Sequence, residues 1–276
     1  MVRLAVVTDE ISKDFLTAIK YGIQWGVRDF ELRFLKSGRV PFISKEEVES
    51  IIRYKKEYNV RISALSPGLF QVTLRDEREL KNQLEKHIYE TFRLADRLET
   101  NRVIIFGFKR YPREPETNYI QIIHILTRMA SLAGKYGFTL LLENLPNTWA
   151  DSGEKTAKIL SDVNSRYLQA NWDLANAYVS GEIPYPYGYL AIRHYLSAIH
   201  VKDIRENQSG KFEYVPVGDG EIDWEGQVRS IMSASEGNFL TIETHCQPQA
   251  ENSHLNIVRM QELIEKYKLN ENYIVK

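Results

Sequence analysis

Residues 139–173, TLLLENLPNTWADSGEKTAKILSDVNSRYLQANWD, hold one complete strand–helix–strand unit. The short apolar run 139–142 closes on Glu143, a turn carrying Pro146 and Asn147 follows, and 153–163 is amphipathic in the manner of a surface helix. A second short apolar run, 168–172, closes on Asp173. Strands that are almost continuously apolar belong to a parallel sheet covered by helices, because such strands are buried on both faces.

The same alternation continues on both sides of this unit. Further apolar runs rich in β-branched and aromatic residues fall at 4–8, 30–34, 62–65, 103–106, 198–201 and 240–242. Amphipathic stretches separate them at 15–25, 45–58, 77–98, 119–136 and 224–233, with a last one at 256–267. In 77–98 the residues Leu80, Leu84, Ile88, Phe92 and Ala95 recur at helical spacing. The segment 187–195 is rich in Tyr and Pro and carries the weakest helical signal. Eight strand–helix repeats predict an α/β fold, a (β/α)8 TIM barrel in one domain over 1–276. An open doubly wound sheet is the alternative, but its first strand-to-helix turn needs glycines around a phosphate, and here that turn reads TDEISKDF.

Four runs leave the sheet on a residue able to bind a divalent metal: LLLEN at Glu143, ANWD at Asp173, AIHVKD at His200 and TIETH at Glu243. A buried strand has no internal use for a carboxylate or imidazole at its exit, and in a barrel the carboxyl ends of all strands open into one mouth. Three carboxylates and one imidazole suit Mn²⁺, Mg²⁺, Co²⁺ or Zn²⁺, with Mn²⁺ favoured, and the lack of cysteine ligands argues against a structural zinc. Glu31 and Arg33, in FELR, either line the mouth or form an ion pair there. Lys202 alternates with His200, and His245 shares the phase of Glu243 if that strand runs on. Ser66, Pro67 and Gly68 make a turn at the mouth with too few donors to grip a phosphate. Trp149 and Trp172 read as core, and in VPVGDGEIDW the turn around Asp219 leads to Asp223 as a cap for the helix starting at Trp224. The polar interval 206–220 is the longest loop.

Composition narrows the partners. The formal charge is −1 and the pI about 6.6, so no positive field invites nucleic acid or an anionic membrane. The single cysteine, Cys246, forms no internal disulfide, and neither a signal segment nor a membrane span is visible, which points to a cytoplasmic protein.

Taken in order, TDEIS, FELR, LLLEN, ANWD, HVKD with Arg205, GDGEIDW and IETH resemble the xylose isomerase-like barrels. Within them the likeness is to the sugar phosphate isomerase/epimerase group, which includes tagatose and psicose 3-epimerases and inosose dehydratase. The resemblance implies that Glu143, Asp173, His200 and Glu243 bind one divalent ion. It further implies that Glu143 and Glu243 act as an acid/base pair, moving a proton beside a carbonyl through an enediolate. Substrate contacts are implied for Arg205, Asn176, Lys202 and Glu31, Asn176 standing where the epimerases commonly carry a His. The implied substrate is a small sugar, sugar acid or sugar phosphate, and the implied assembly a homo-oligomer. Two other chemistries share the barrel: an inosose-dehydratase-like lyase, which expels a β-hydroxyl after the same proton abstraction, and an endonuclease-IV-like phosphodiesterase. The last needs more ligands than a chain with six histidines offers, two of them, His87 and His124, within helices.

Overall fold

Eight parallel strands close on themselves in the computed structural model, which describes residues 2–233 and 239–274 and the side chains up to residue 268. They are β1 (Arg3–Val7), β2 (Asp29–Leu32), β3 (Arg61–Leu69), β4 (Arg102–Phe106), β5 (Thr139–Glu143), β6 (Leu168–Asp173), β7 (Leu196–Val201) and β8 (Phe239–Ile242). Each pairs with its sequence neighbours, and β8 returns to β1. Every one of these strands overlaps an apolar run of the sequence, and the barrel reading holds over the open-sheet alternative.

Successive side chains on a strand point to opposite faces, so each strand feeds two cores. Ala5, Ala64, Ile104, Phe106, Leu141, Ala198 and Phe239 fill the inside of the barrel. Their neighbours Val6, Ile105, Leu140, Leu142, Ile199 and Leu240 face outward into the larger core beneath the helices. Fully buried apolar side chains contribute about 1.5–3 kcal/mol each, so this double core dominates the stability.

Three segments differ from expectation. Ahead of β7 the chain breaks into Leu174–Val179, a turn at Pro184–Gly188, Tyr189–Ile192 and a 3-10 turn at Arg193–Tyr195. Gly188 is the reason for the close approach, since a Cβ there would lie 2.9 Å from the Trp172 ring. The last helix, Gln249–Ile274, begins before the expected 256. Its first turns are anchored by polar groups, Gln249 to Glu10 and the buried Ser253 to Thr244, and so carry no apolar period. The interval 206–220 is no open loop either: Asp203–Glu206 and Phe212–Val215 pair as an antiparallel hairpin. The buried Asp203 carboxylate fastens its base by accepting backbone N–H bonds from Ile204, Gly218 and Ile222. Asp223 caps the helix Trp224–Ser233 by accepting from Gly226 N–H at 2.8 Å, as expected. Among the described residues no helix is long and apolar enough to cross a membrane.

Candidate metal centre

Inward positions climb each strand in steps of two from apolar floor to polar mouth: Leu141 to Glu143 on β5, Ala198 to His200 and on to Lys202 along β7, Phe239 and Thr241 to Glu243 off β8. Asn171 and Asp173 are inward by alternation on β6, but their pairing with β7 depends on an irregularity, the register moving from Ala170↔Leu196 to Asn171↔Ala198. That one-residue shift pairs Asp173 with the inward His200 instead of the outward Ile199. A second shift, from Phe30↔Ile62 to Glu31↔Ala64, sets the inward Glu31 level with the inward Ala64.

The result is a cluster in which ligating atoms of Glu143, Asp173, His200 and Glu243 all lie within 4.8 Å of one another, every residue buried. Ligand atoms about 2.0–2.2 Å from one ion lie up to about 4.4 Å apart, so a cluster of this spread is of a size to close on a divalent cation. The imidazole is set for it. His200 Nε2 lies 3.1 Å from Glu31 Oε2, whereas Nδ1 lies 3.4 Å from Glu143 and 3.2 Å from Glu243 without a hydrogen bond to either. An N–H donated to Glu31 leaves the Nδ1 lone pair for a cation. The Asp173 Oδ2 atom likewise has no hydrogen bond, although Lys202 Nζ is 2.7 Å away, an ion-pair contact without hydrogen-bond alignment. These orphaned polar atoms and the donor set fit a divalent cation.

Charge is balanced from one side. Lys202 Nζ donates to Glu243 Oε2 at 2.8 Å, and Arg33 meets the other oxygen of Glu243. Burial would raise Glu243, but the Lys202 ammonium, His200 and His245 outweigh it and hold the carboxyl well below its ordinary range. Asp173 goes the other way, pushed by burial up to about 6 despite Lys202. Burial would also lower His200, yet the carboxylates of Glu143, Glu31 and Glu243 raise it well above the usual imidazole value. Glu143 faces neutral amides as well: Asn171 Nδ2 at 3.3 Å and Asn176 Nδ2 at 3.5 Å.

Of the residues expected to touch substrate, Lys202 and Asn176 stand in the cluster. Glu31 does not face the mouth. It is 2% exposed and sits behind the His200 ring, turned inward by alternation with the outward Phe30. Arg205 is also elsewhere: it lies on the hairpin, exposed and paired with Glu213 at 2.6 Å, because alternation along Asp203–Glu206 turns it to solvent. Trp149 and Trp172 are buried in the outer core, as read from the sequence.

Three contributors were passed over, Glu10, Asn171 and Tyr214, while Arg33 forms an ion pair at the mouth, one of the two roles expected for it. Glu10, at the exit of β1, is fully buried and accepts from Arg33, His245 and Gln249. Arg33 also donates to Asp9, so it ties the mouth of β1 to Glu243. Asn171 stands two residues before Asp173, a spacing that was visible in ANWD. Tyr214 of the hairpin leans over the mouth, its ring 5.1 Å from that of His245 and 5.9 Å from Lys202 Nζ. His245 does join the site, with Nδ1 3.1 Å from Glu10 and Nε2 3.4 Å from Glu243, although β8 has ended at Ile242. Glu10, Glu243 and His245 could themselves hold an ion, but Arg33 already meets both glutamates.

The family model for the xylose isomerase-like TIM barrel matches residues 19–267. An inosose dehydratase of Bacillus velezensis (strain DSM 23117 / BGSC 10A6 / LMG 26770 / FZB42) is 24% identical over 161 residues, 52% of this chain and 53% of that protein. The match thus spans about half the length of this relative. Among solved structures, an L-ribulose 3-epimerase superposes with a TM-score of 0.79 at 13% identity, covering 100% of this chain and 99% of that one. The IOLI protein, crystallised with a binding zinc atom, gives 0.81 at 14% identity over 96% and 99%. At such identities these structures bear on the fold alone.

Proposed function

Because the chain belongs to the xylose isomerase-like TIM barrel family, a family with epimerase and dehydratase members, we propose that it is a divalent-metal-dependent isomerase or epimerase of a small sugar-like substrate. Glu143, Asp173, His200 and Glu243 would hold the ion, and Glu143 and Glu243 would exchange the proton on the carbon beside a carbonyl. The observation that carries this reading is the pair of glutamates in one buried cluster with unlike surroundings, Glu243 braced by Lys202 and Arg33, Glu143 touched by Asn171 and Asn176 amides. When bound, the ion supplies Lewis-acid charge that stabilises the enediolate oxygen.

The chain's own groups do the rest. One glutamate accepts the proton and the other returns one from its own side, the direction being set by the substrate epimer. Lys202 offers a buried ammonium to a substrate oxygen, and burial, which would lower it, is outweighed by Asp173 and Glu243, so it stays charged. Asn176 offers an amide beside Glu143. Tyr214 limits water at the mouth.

A second reading, β-elimination as in a dehydratase, is favoured by that same Lys202. A charged donor beside both carboxylates can hydrogen-bond a departing hydroxyl, which two-glutamate epimerisation does not require. Both readings share the first step. The test is exchange in D₂O followed by NMR over ketoses, sugar acids, sugar phosphates and inososes, with Mn²⁺ and with chelator. Deuterium should enter beside the carbonyl only with metal, and Glu143→Gln or Glu243→Gln should slow it by at least about a hundredfold. Elimination would add a dehydrated product. Exchange indifferent to chelator and to both variants would sink the proposal.

A further inference from the structure

Two arginines leave β2 toward the mouth, and they are used differently. Arg33 is saturated by Asp9, Glu10 and Glu243. Arg39 lies on the short strand Gly38–Arg39, which pairs back on Phe34–Leu35 and brings its side chain over the end of β3. Its Nε–H donates to the Ser66 carbonyl at 3.2 Å, and its guanidinium sits 5.0 Å from the Phe34 ring centroid. The plane lies against Gly68, where a Cβ would fall 2.6 Å from Cζ and 2.7 Å from Nη1. Among the described residues no carboxylate pairs with Arg39.

That is an uncommon position for a half-buried cation. Burial lowers the guanidinium pKa, the Arg33 charge lowers it further, and the carboxylates of Asp9, Glu143 and Glu243 act on it only from beyond contact. Those carboxylates are engaged elsewhere: Asp9 by Arg33, Glu243 by Arg33 and Lys202. A desolvated charge without a partner is costly unless something else supplies the counter-charge. Lys13 adds a second cation, its Nζ 5.8 Å from the centroid of the same Phe34 ring. With Nε occupied by Ser66, the two Nη groups remain as a fork for paired oxygens. Residues 66–68 lie inside β3 instead of making the expected turn, at a place where its pairing with β4 is irregular; too poor in donors by themselves to hold an anion, they acquire them from Arg39.

We propose that Arg39, seated on Ser66 and Gly68, binds an anionic oxygen group, a carboxylate or a phosphate, at the end of the substrate away from the proposed metal, and so selects charged over neutral sugars. The inference rests on the mouth being the substrate site of the reading above. It makes Arg39 a specificity residue outside the proton-transfer pair.

Calorimetry on the Mg²⁺-loaded protein tests it with D-fructose as the neutral ketose, 5-keto-D-gluconate as a carboxylated one and D-fructose 6-phosphate as a phosphorylated one. One or both charged ketoses should bind more tightly than fructose. Arg39→Met should weaken the charged ligand by about tenfold or more and leave fructose unchanged, and Arg39→Lys should recover part of the loss. Melting temperature checks that both variants fold. Equal binding of charged and neutral ketoses, equal losses for both in Arg39→Met, or no binding of either charged ketose would overturn the proposal. Binding is read without turnover, so the outcomes separate: Arg39-dependent anion binding with no D₂O exchange counts against proton transfer, and exchange without charge preference counts against Arg39.

Discussion

His200 can offer Nδ1 to a cation, giving up the proton that the surrounding carboxylates favour, only while its Nε2–H has another acceptor, and Glu31 at 3.1 Å is that acceptor. Glu10, just past the end of the neighbouring strand β1, plays a matching part, gathering Arg33, His245 and Gln249 around one buried carboxylate. Burial would raise its pKa, but the hydrogen bond and charge of His245, with Arg33, lower it from 4.5 to about 2. A folded pKa below the unfolded one stabilises the fold above the unfolded value, and that contribution is lost as pH falls through the folded value. For Glu10 the shift corresponds to about 3 kcal/mol. In metal-free protein, Glu10→Gln should therefore be less stable by about that amount at pH 7, with the gap to wild type closing between pH 4.5 and about 2. Urea unfolding at stepped pH measures it, and a gap independent of pH would rule the linkage out. Neither role was legible in the sequence, since an isolated Glu after a strand reads the same whether it faces a ligand, a histidine or an arginine.

Between elements, the decisive contact is a clamp. Asn144, the last letter of LLLEN, is fully buried, donates Nδ2–H to the Asp173 carbonyl at 2.7 Å and accepts the Asp173 N–H on Oδ1 at 2.8 Å. It thereby ties the exit of β5 to that of β6 and fixes the backbone under a proposed ligand. Asn144→Ala would leave both backbone groups buried and unpaired, which costs about 2–4 kcal/mol. The variant should unfold at correspondingly lower denaturant and bind metal more weakly. Unaltered metal affinity in a destabilised variant would mean that Asp173 does not depend on the clamp. Most elements could be read from the sequence, because hydrophobic period is local: 153–163 and 224–233 coincide with the observed helices. The shifts at Phe30/Glu31 and Ala170/Asn171 could not. Alternation along one strand says which residues share a face, but not how that strand slides against its neighbour.

At the scale of the molecule, the barrel gathers Glu143, Asp173, Glu243 and Glu10 at one buried mouth, with Glu31 behind His200 and with Lys202 and Arg33 as the cations in contact. A bound divalent ion relieves repulsion in the folded state alone. At about a hundredfold excess over its dissociation constant it would add about 2.7 kcal/mol. For a chain of this size, that raises the melting temperature by about 5 °C. Calorimetric melts with chelator and with Mg²⁺, Mn²⁺ or Zn²⁺ measure this, and a melting temperature that no ion moves would argue against the cluster as a metal site. The sequence by itself determined the eight alternating strand–helix repeats and the polar residues waiting at strand exits, because both follow from the order of apolar and polar side chains along a short stretch. Only the tertiary structure decided what those residues meet: Arg33 reaching Glu243 across 210 positions, Glu31 behind His200, Arg205 turned to solvent, Arg39 laid on Gly68. The reason is physical. A strand's side-chain direction is a local property of period two, whereas its partners depend on the register of every strand in a closed ring, which no single segment contains.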